Sequence, residues 1–139
     1  MFTNLCGIIK PTGGLKVTKS EEIFKYARVI YNKCTAETCY EKVRNQWTLD
    51  NKFWGHCAVV SLLIQDKFGG QIKKCKLKEE NISHYFNFID GKDYDCTIGQ
   101  YKNSVTKCDV KLVDRAELLK CDSTKKRYEK LRDLFLNCK

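Results

Sequence analysis

The sequence predicts an α+β fold, on three observations. The stretch Cys57 to Phe68 carries apolar residues on most sides of a helical wheel and ends at two glycines, as a helix buried inside a domain does. Three strand-like pieces follow, two of them flanking Asp90-Gly91, a strong signal for a tight antiparallel hairpin. Helical periodicity then returns near the C-terminus, so strands are grouped rather than alternating with helices. At 139 residues the chain is of one-domain size, and a single domain over 1–139 is expected.

Each element has its own reason. Residues 1–18 hold a short apolar piece, Leu5 to Ile9, then Pro11 and Gly13-Gly14, and read as an edge strand or irregular lead-in. Ser20 is the expected N-cap of a first helix, with Glu21 and Glu22 favouring the dipole and Ile23, Tyr26, Ala27, Ile30 and Cys34 at helical spacing. Thr35 to Lys52 has weak periodicity and reads as a short helical piece and a loop. Cys57 to Phe68 is the buried helix, closed by Gly69-Gly70. The strands are expected over Gln71 to Leu77, Ser83 to Ile89 and Lys92 to Thr97. Two helices close the chain, about Asp114 to Lys120 and Ser123 to Asn137, with Asp114 and Asp122 or Ser123 as caps.

The charge balance is 26 Lys+Arg against 17 Asp+Glu, a net of +9, which invites a nucleic-acid reading. The surplus is scattered, however. Lys74, Lys76 and Lys78 share one face of a strand, and Lys125, Lys126, Arg127, Lys130 and Arg132 lie on the last helix among acids. These read as solvated faces without a nucleic-acid motif, so nucleic acid is the weaker partner reading. Met1 to Gly14 lacks the pattern of a secretory signal, and no run reaches the ~18 apolar residues of a membrane span. A cytoplasmic protein with reduced thiols and no membrane partner is expected. The nine cysteines are an odd number without a C-x-x-C pair, which excludes a fully paired disulfide framework. Cys34, Cys39, Cys75, His84, Cys96 and Cys108 could ligate zinc, but only Cys34 and Cys39 approach a ligand spacing, so no metal is expected.

Cys57 is set apart from the other eight cysteines by its position. At the first turn of the buried helix, after Trp54-Gly55-His56, helix-end N–H groups favour an anion and could serve an oxyanion. Gly55 either lets a substrate backbone approach or lets the chain turn into the helix. A nucleophilic thiol needs a base and a group to orient it. If the Asp90-Gly91 loop holds an even number of residues, His84 and Asp95 point to the same sheet face within side-chain reach. Cys57, His84 and Asp95 can thus form nucleophile, base and orienter, although a structural cysteine and a hydrogen-bonded strand histidine satisfy the same pattern. His56 reads as a solvated or capping histidine, Asp66 as a structural or surface carboxylate, and Trp47 and Trp54 as groove or core walls. The remaining cysteines read as small buried hydrophobes.

The ordered set Trp54-Gly55-His56-Cys57-Ala58-Val59, Gln65-Asp66, Phe68-Gly69-Gly70, Ser83-His84-Tyr85 with Asn87, Asp90-Gly91, and Asp95 with Thr97 resembles the small bacterial YunG-like proteins. Their pattern runs W-G-Q-C-A-V-T-A, Q-D-x-F-G-G, S-H-Y-W-N, D-G and D-L-T-x-x-Q-F, and the last pair here is Gln100-Tyr101. Thr124, Arg127-Tyr128 and Leu131 match a C-terminal T-x-x-R-Y-x-x-L, so the resemblance spans roughly 20 to 136. The Cys, His, Asp order is also similar to papain-like cysteine hydrolases, in which a central buried helix carrying the thiol packs on a small antiparallel sheet with flanking helices. The resemblance implies that fold, with Cys57 as nucleophile, His84 as base and Asp95 as orienter. Departures are His56 for Gln, Phe86 for Trp and Cys96 for Leu. The first removes an amide beside the thiol, which leaves Asn51, six residues before Cys57, as the alternative oxyanion donor. Asn51, Trp54, Gly55 and His56 are accordingly the expected oxyanion or groove residues. The implied activity is a cysteine hydrolase or acyl transferase on a protein, peptide or small acyl substrate, with no metal or organic cofactor. The rival is a catalytically silent module of the same fold whose basic surface engages an acidic protein or nucleic acid.

Overall fold

The computed structural model describes residues 16–137, so the expected lead-in over 1–18 lies almost wholly outside the described residues. The architecture is α+β, with helices packed against a small antiparallel sheet. Helix α1 (Lys19–Lys33) is followed by two 3₁₀ turns, Ala36–Thr38 and Glu41–Gln46, then by α2 (Cys57–Phe68). Strands β1 (Gln71–Leu77), β2 (Ile82–Ile89) and β3 (Lys92–Tyr94) come next, then a 3₁₀ turn at Ile98–Gln100 and β4 (Lys107–Val113). Helices α3 (Arg115–Leu119) and α4 (Asp122–Leu136) close the described chain. The sheet order is β3-β2-β1-β4.

Capping corrects two expectations. Helix α1 is capped by Thr18 rather than Ser20, because Thr18 forms a reciprocal box with Glu21: Glu21 N–H donates to Thr18 Oγ1 at 3.1 Å, and Thr18 N–H to Glu21 Oε1 at 3.0 Å. Ser20 instead bonds the Tyr94 hydroxyl at 2.9 Å, tying α1 to β3. The cap of α4 is Cys121, not Asp122 or Ser123. Asp122 is already helical, and the Ser123 hydroxyl is taken by Glu41 at 2.5 Å. Asp114 does hold the cap position of α3.

Helix α2 is hydrophobic nearly all round because it is covered nearly all round: Ala58 through Ile64 are buried without interruption. The inward face of α1, Ile23, Ala27 and Ile30, packs into the same core as α2, and so do Leu118, Tyr128 and Leu131 of the last two helices. Ile72, Ile89 and Tyr94 complete it from the sheet. Each such aliphatic side chain contributes ~1.5–3 kcal/mol by leaving water. The opposite sheet face carries a smaller cluster, Cys75, Leu77 and Phe86, covered by Tyr101 and Val105. His84 stands on this second face, directly opposite Cys75 in the β1–β2 register.

The hairpin has the expected geometry. Ile89 pairs with Lys92, Phe88 with Asp93 and Asn87 with Tyr94, and Asp90 and Gly91 both adopt positive φ, 52° and 77°. The third strand is shorter than expected. It ends at Tyr94 because the chain then turns into the 3₁₀ segment, where Gln100 N–H donates to Thr97 O at 3.0 Å. Strand β4 has no counterpart in the sequence reading. It is an edge strand with a register shift against β1 between Lys74 and Lys76, and Asp109 takes a positive φ of 54° within the bulge.

Candidate functional site

The turn into α2 is fixed by Gly55. Its φ is 72°, and a Cβ there would lie 2.5 Å from Cys39 Sγ and 2.9 Å from Val43 Cγ2. Its carbonyl accepts from Tyr40 N–H and its N–H donates to Gln100 Oε1, both at 3.0 Å. Of the two roles expected for Gly55, the turn has a visible cause; the space over its α-carbon is filled by Cys39 rather than left for a substrate backbone. Cys57 then opens the helix and is partly exposed.

His84 is fully buried on β2, and its Nε2–H points to both Asp95 oxygens, at 2.9 and 2.8 Å. The even hairpin loop brings these two residues to one face, although Asp95 lies just beyond β3. The other ring nitrogen, Nδ1, faces the Tyr101 hydroxyl at 3.5 Å. Burial is the largest influence on His84 and opposes its charge; the hydrogen bond to Asp95, with the Cys57 sulfur acting in the same direction, outweighs it and pushes the imidazole up to about 9. Cys57 and Asp95 thus both act on one buried ring.

His56 corrects its expectation. It occupies the N-cap position of α2 but neither caps nor meets solvent, being 0% exposed. Its Nδ1–H donates to the Trp54 carbonyl at 2.8 Å, which leaves Nε2 to accept from the Thr38 hydroxyl at 2.7 Å. Burial, aided by the Arg127 and Arg44 charges and opposed by the Trp54 carbonyl, lowers His56 to about 4. The two histidines of the chain are therefore tuned in opposite directions.

The other expected groove residues are placed as follows. Asn51 Nδ2 donates to the Gln100 carbonyl at 2.9 Å, so this amide braces the loop after Asp95. Trp54 donates through Nε1 to Val43 O at 3.1 Å, and its ring meets Tyr101 edge to face at 6.0 Å. Tyr101 in turn meets the His84 ring at 5.6 Å, which makes an aromatic wall of Trp54 and Tyr101 beside the imidazole. A cavity of about 350 Å³, lined by Phe24, Tyr31, Asn51, Phe53, Cys96 and Gln100 among others, lies behind these loops; Cys57 and His84 do not line it.

Three site residues escaped the sequence reading of the chemistry. Gln100, 4% exposed, joins the segment after Asp95 to the loop before Cys57 through its bond to Gly55 and donates to Thr97 O at 3.0 Å. Tyr101 supplies the hydroxyl at Nδ1. The motif Gln100-Tyr101 was visible, but nothing in spacing gave it a site role. Lys107 of β4 places Nζ 2.9 Å from Asp95 Oδ2 and 4.3 Å from the Phe86 ring centre, and no sequence signal pointed to it.

The cysteines divide by burial. It pushes Cys39 and Cys75 up to about 11 and Cys96 up to about 12, and it raises Cys34 further. These are the small hydrophobes the sequence implied. Cys121 is the correction: it is exposed at the start of α4, and hydrogen bonding from Thr124 lowers its pKa, so Cys57 is not alone at a helix start. Among the described residues no cluster of three or more His, Cys, Asp or Glu forms a metal-ligand set. Arg127, expected on a solvated face, is only 6% exposed because it turns inward to Ser123 and Thr124 and packs its guanidinium over Tyr40. Asp66 is structural as expected: it pairs with Arg115 at 2.7 Å and accepts from the Tyr128 hydroxyl at 2.5 Å, locking α2 to α3 and α4. No helix among the described residues is long and apolar enough to cross a membrane.

Comparison with known proteins gives one family. The model of the family described as YunG protein matches residues 22–138. The chain is 32% identical over 91 residues to a Bacillus subtilis (strain 168) protein described as "Uncharacterized protein YunG", a match covering 66% of this chain and 76% of that protein. No solved structure matches significantly.

Proposed function

The chain belongs to the YunG family, and from the geometry of its site we propose that it is a papain-like cysteine hydrolase or acyl transferase acting on an amide, thioester or ester carbonyl. The observation that carries this is the His84 ring: fully buried, bonded through Nε2 to Asp95 at 2.8 and 2.9 Å, and held charged near neutral pH by Asp95 and a partly exposed Cys57. In this reading the Cys57 thiolate attacks the carbonyl carbon and forms a C–S bond, and the carbonyl electron pair moves to oxygen. Collapse expels the amine, thiol or alcohol, which takes the proton from His84. Water, or an acceptor amine, then attacks the acyl-enzyme, gives its proton to His84 and releases the thiolate. Asp95 holds the ring and supports its charge. The Cys57 N–H, at a helix start where no intrahelical acceptor exists, supplies one donor to the oxygen.

Iodoacetamide tests this reading. Cys57 is expected to alkylate at neutral pH at least ~10-fold faster than a free-thiol control, and His84→Ala is expected to remove the advantage. A rate no faster than the control and unchanged in His84→Ala would refute the hydrolase and favour the silent binding module.

A further inference from the structure

A tetrahedral oxyanion needs more than one donor, and the two side chains expected to provide it are committed elsewhere. The Asn51 amide braces the Gln100 carbonyl at 2.9 Å. Both nitrogens of buried His56 are engaged, at 2.8 Å by Trp54 O and at 2.7 Å by Thr38 Oγ1. The polar side chain that does stand beside the reacting pair is Tyr101. Its hydroxyl is 3.5 Å from Nδ1, the His84 nitrogen left for Cys57 once Nε2 is bound to Asp95. We propose that Tyr101 is a catalytic residue that donates its O–H to the carbonyl oxygen as Cys57 attacks, the role expected of an amide at Asn51 or before the thiol.

The surroundings support this. When the ring carries both protons, Nδ1–H is a donor and offers the Tyr101 hydroxyl no acceptor, so the phenolic hydrogen is left to point elsewhere. The 3.5 Å contact is long, which leaves the hydroxyl uncommitted until a better acceptor arrives. Burial holds the phenol above its ordinary pKa, so it remains a donor at neutral pH. Trp54 fixes the ring from the side, edge to face at 6.0 Å.

The inference rests on the hydrolase reading, and the test separates the two. p-Nitrophenyl acetate acylates a thiolate through an oxyanion: the C–S bond forms, the oxyanion collapses, and nitrophenolate leaves. Iodoacetamide alkylates the same sulfur with loss of iodide and no oxyanion. In Tyr101→Phe, which keeps the ring packing, the ratio of Cys57 acylation to Cys57 alkylation is expected to fall ~10²-fold. A ratio unchanged from wild type, with wild-type Cys57 acylating normally, would overturn the Tyr101 role alone. Wild-type acylation no faster than that of Cys57→Ala would overturn the hydrolase reading and the Tyr101 role with it.

Discussion

Replacing Asp95 by Asn removes a charge while keeping an acceptor for His84 Nε2–H, so it isolates the electrostatic part of the contact. At 2.8 Å, a pair of unit charges in an effective dielectric of ~20 interacts by roughly 6 kcal/mol. The rise of His84 from 6.5 to about 9 corresponds to roughly 3 kcal/mol after burial has taken its opposing share. Asp95 alone is therefore large enough to set the sign. Without it, burial and the now unpaired Lys107 both act against the imidazolium and only the Cys57 sulfur still favours it, so His84 in Asp95→Asn is expected to titrate well below the wild-type value of about 9. Proton NMR of the imidazoles measures this directly, because the chain has two histidines and His56, at about 4, serves as internal reference. The stability consequence has a fixed sign. His84 is raised in the folded state, so its contribution is fully present below pH 6.5 and lost as pH rises through about 9. The deficit of Asp95→Asn in urea denaturation should therefore shrink over that window. A variant in which His84 still titrates near 9 would refute the argument.

Lys107→Met should keep the packing over Phe86 while leaving Asp95 wholly to His84, so the His84 titration should move above about 9; an unmoved titration would show that Lys107 is mere surface. Gly55→Ala combines a positive φ with a 2.5 Å clash on Cys39 Sγ and is expected to cost ~2–4 kcal/mol in urea denaturation. His56 has the reverse linkage to His84. Its folded pKa lies below the unfolded value, so wild type loses stability as pH falls from 6.5 towards about 4, and the gap between wild type and His56→Gln should narrow across that interval.

The elements with strong local chemistry are legible in the sequence alone. Helix α2 begins at Cys57 and ends before Gly69, and the even hairpin loop at Asp90-Gly91 places His84 and Asp95 on one face, because turn glycines and period-two alternation act within a few residues. Ser20 misleads because serine is the better cap in isolation; the reciprocal bond from Glu21 decides for Thr18. Strand β4 does alternate in sequence, Cys108, Val110 and Leu112 between Lys107, Asp109 and Lys111, but Val110 and Leu112 stay exposed on the sheet edge and the bulge at Asp109 interrupts the pairing, so the pattern marks no core face. His56 looked solvated because its partners, Thr38 and the Trp54 carbonyl, are brought around it by the Gly55 turn rather than by sequence spacing alone. Lys107 and Tyr101 reach the site only through tertiary packing, and a single lysine or tyrosine carries no periodicity to announce that.

If Cys57 is a nucleophile activated by His84, site-resolved acylation will single it out among the thiols. Wild-type protein treated with p-nitrophenyl acetate at neutral pH and mapped by peptide mass spectrometry should carry the acetyl group on Cys57. Cys121, exposed at the start of α4, provides the comparison for an accessible thiol outside the site. Cys57 is expected to be modified ahead of Cys121, and His84→Ala is expected to abolish this preference. Equal labelling of Cys57 and Cys121, or a preference that survives His84→Ala, would contradict activation of Cys57 by His84.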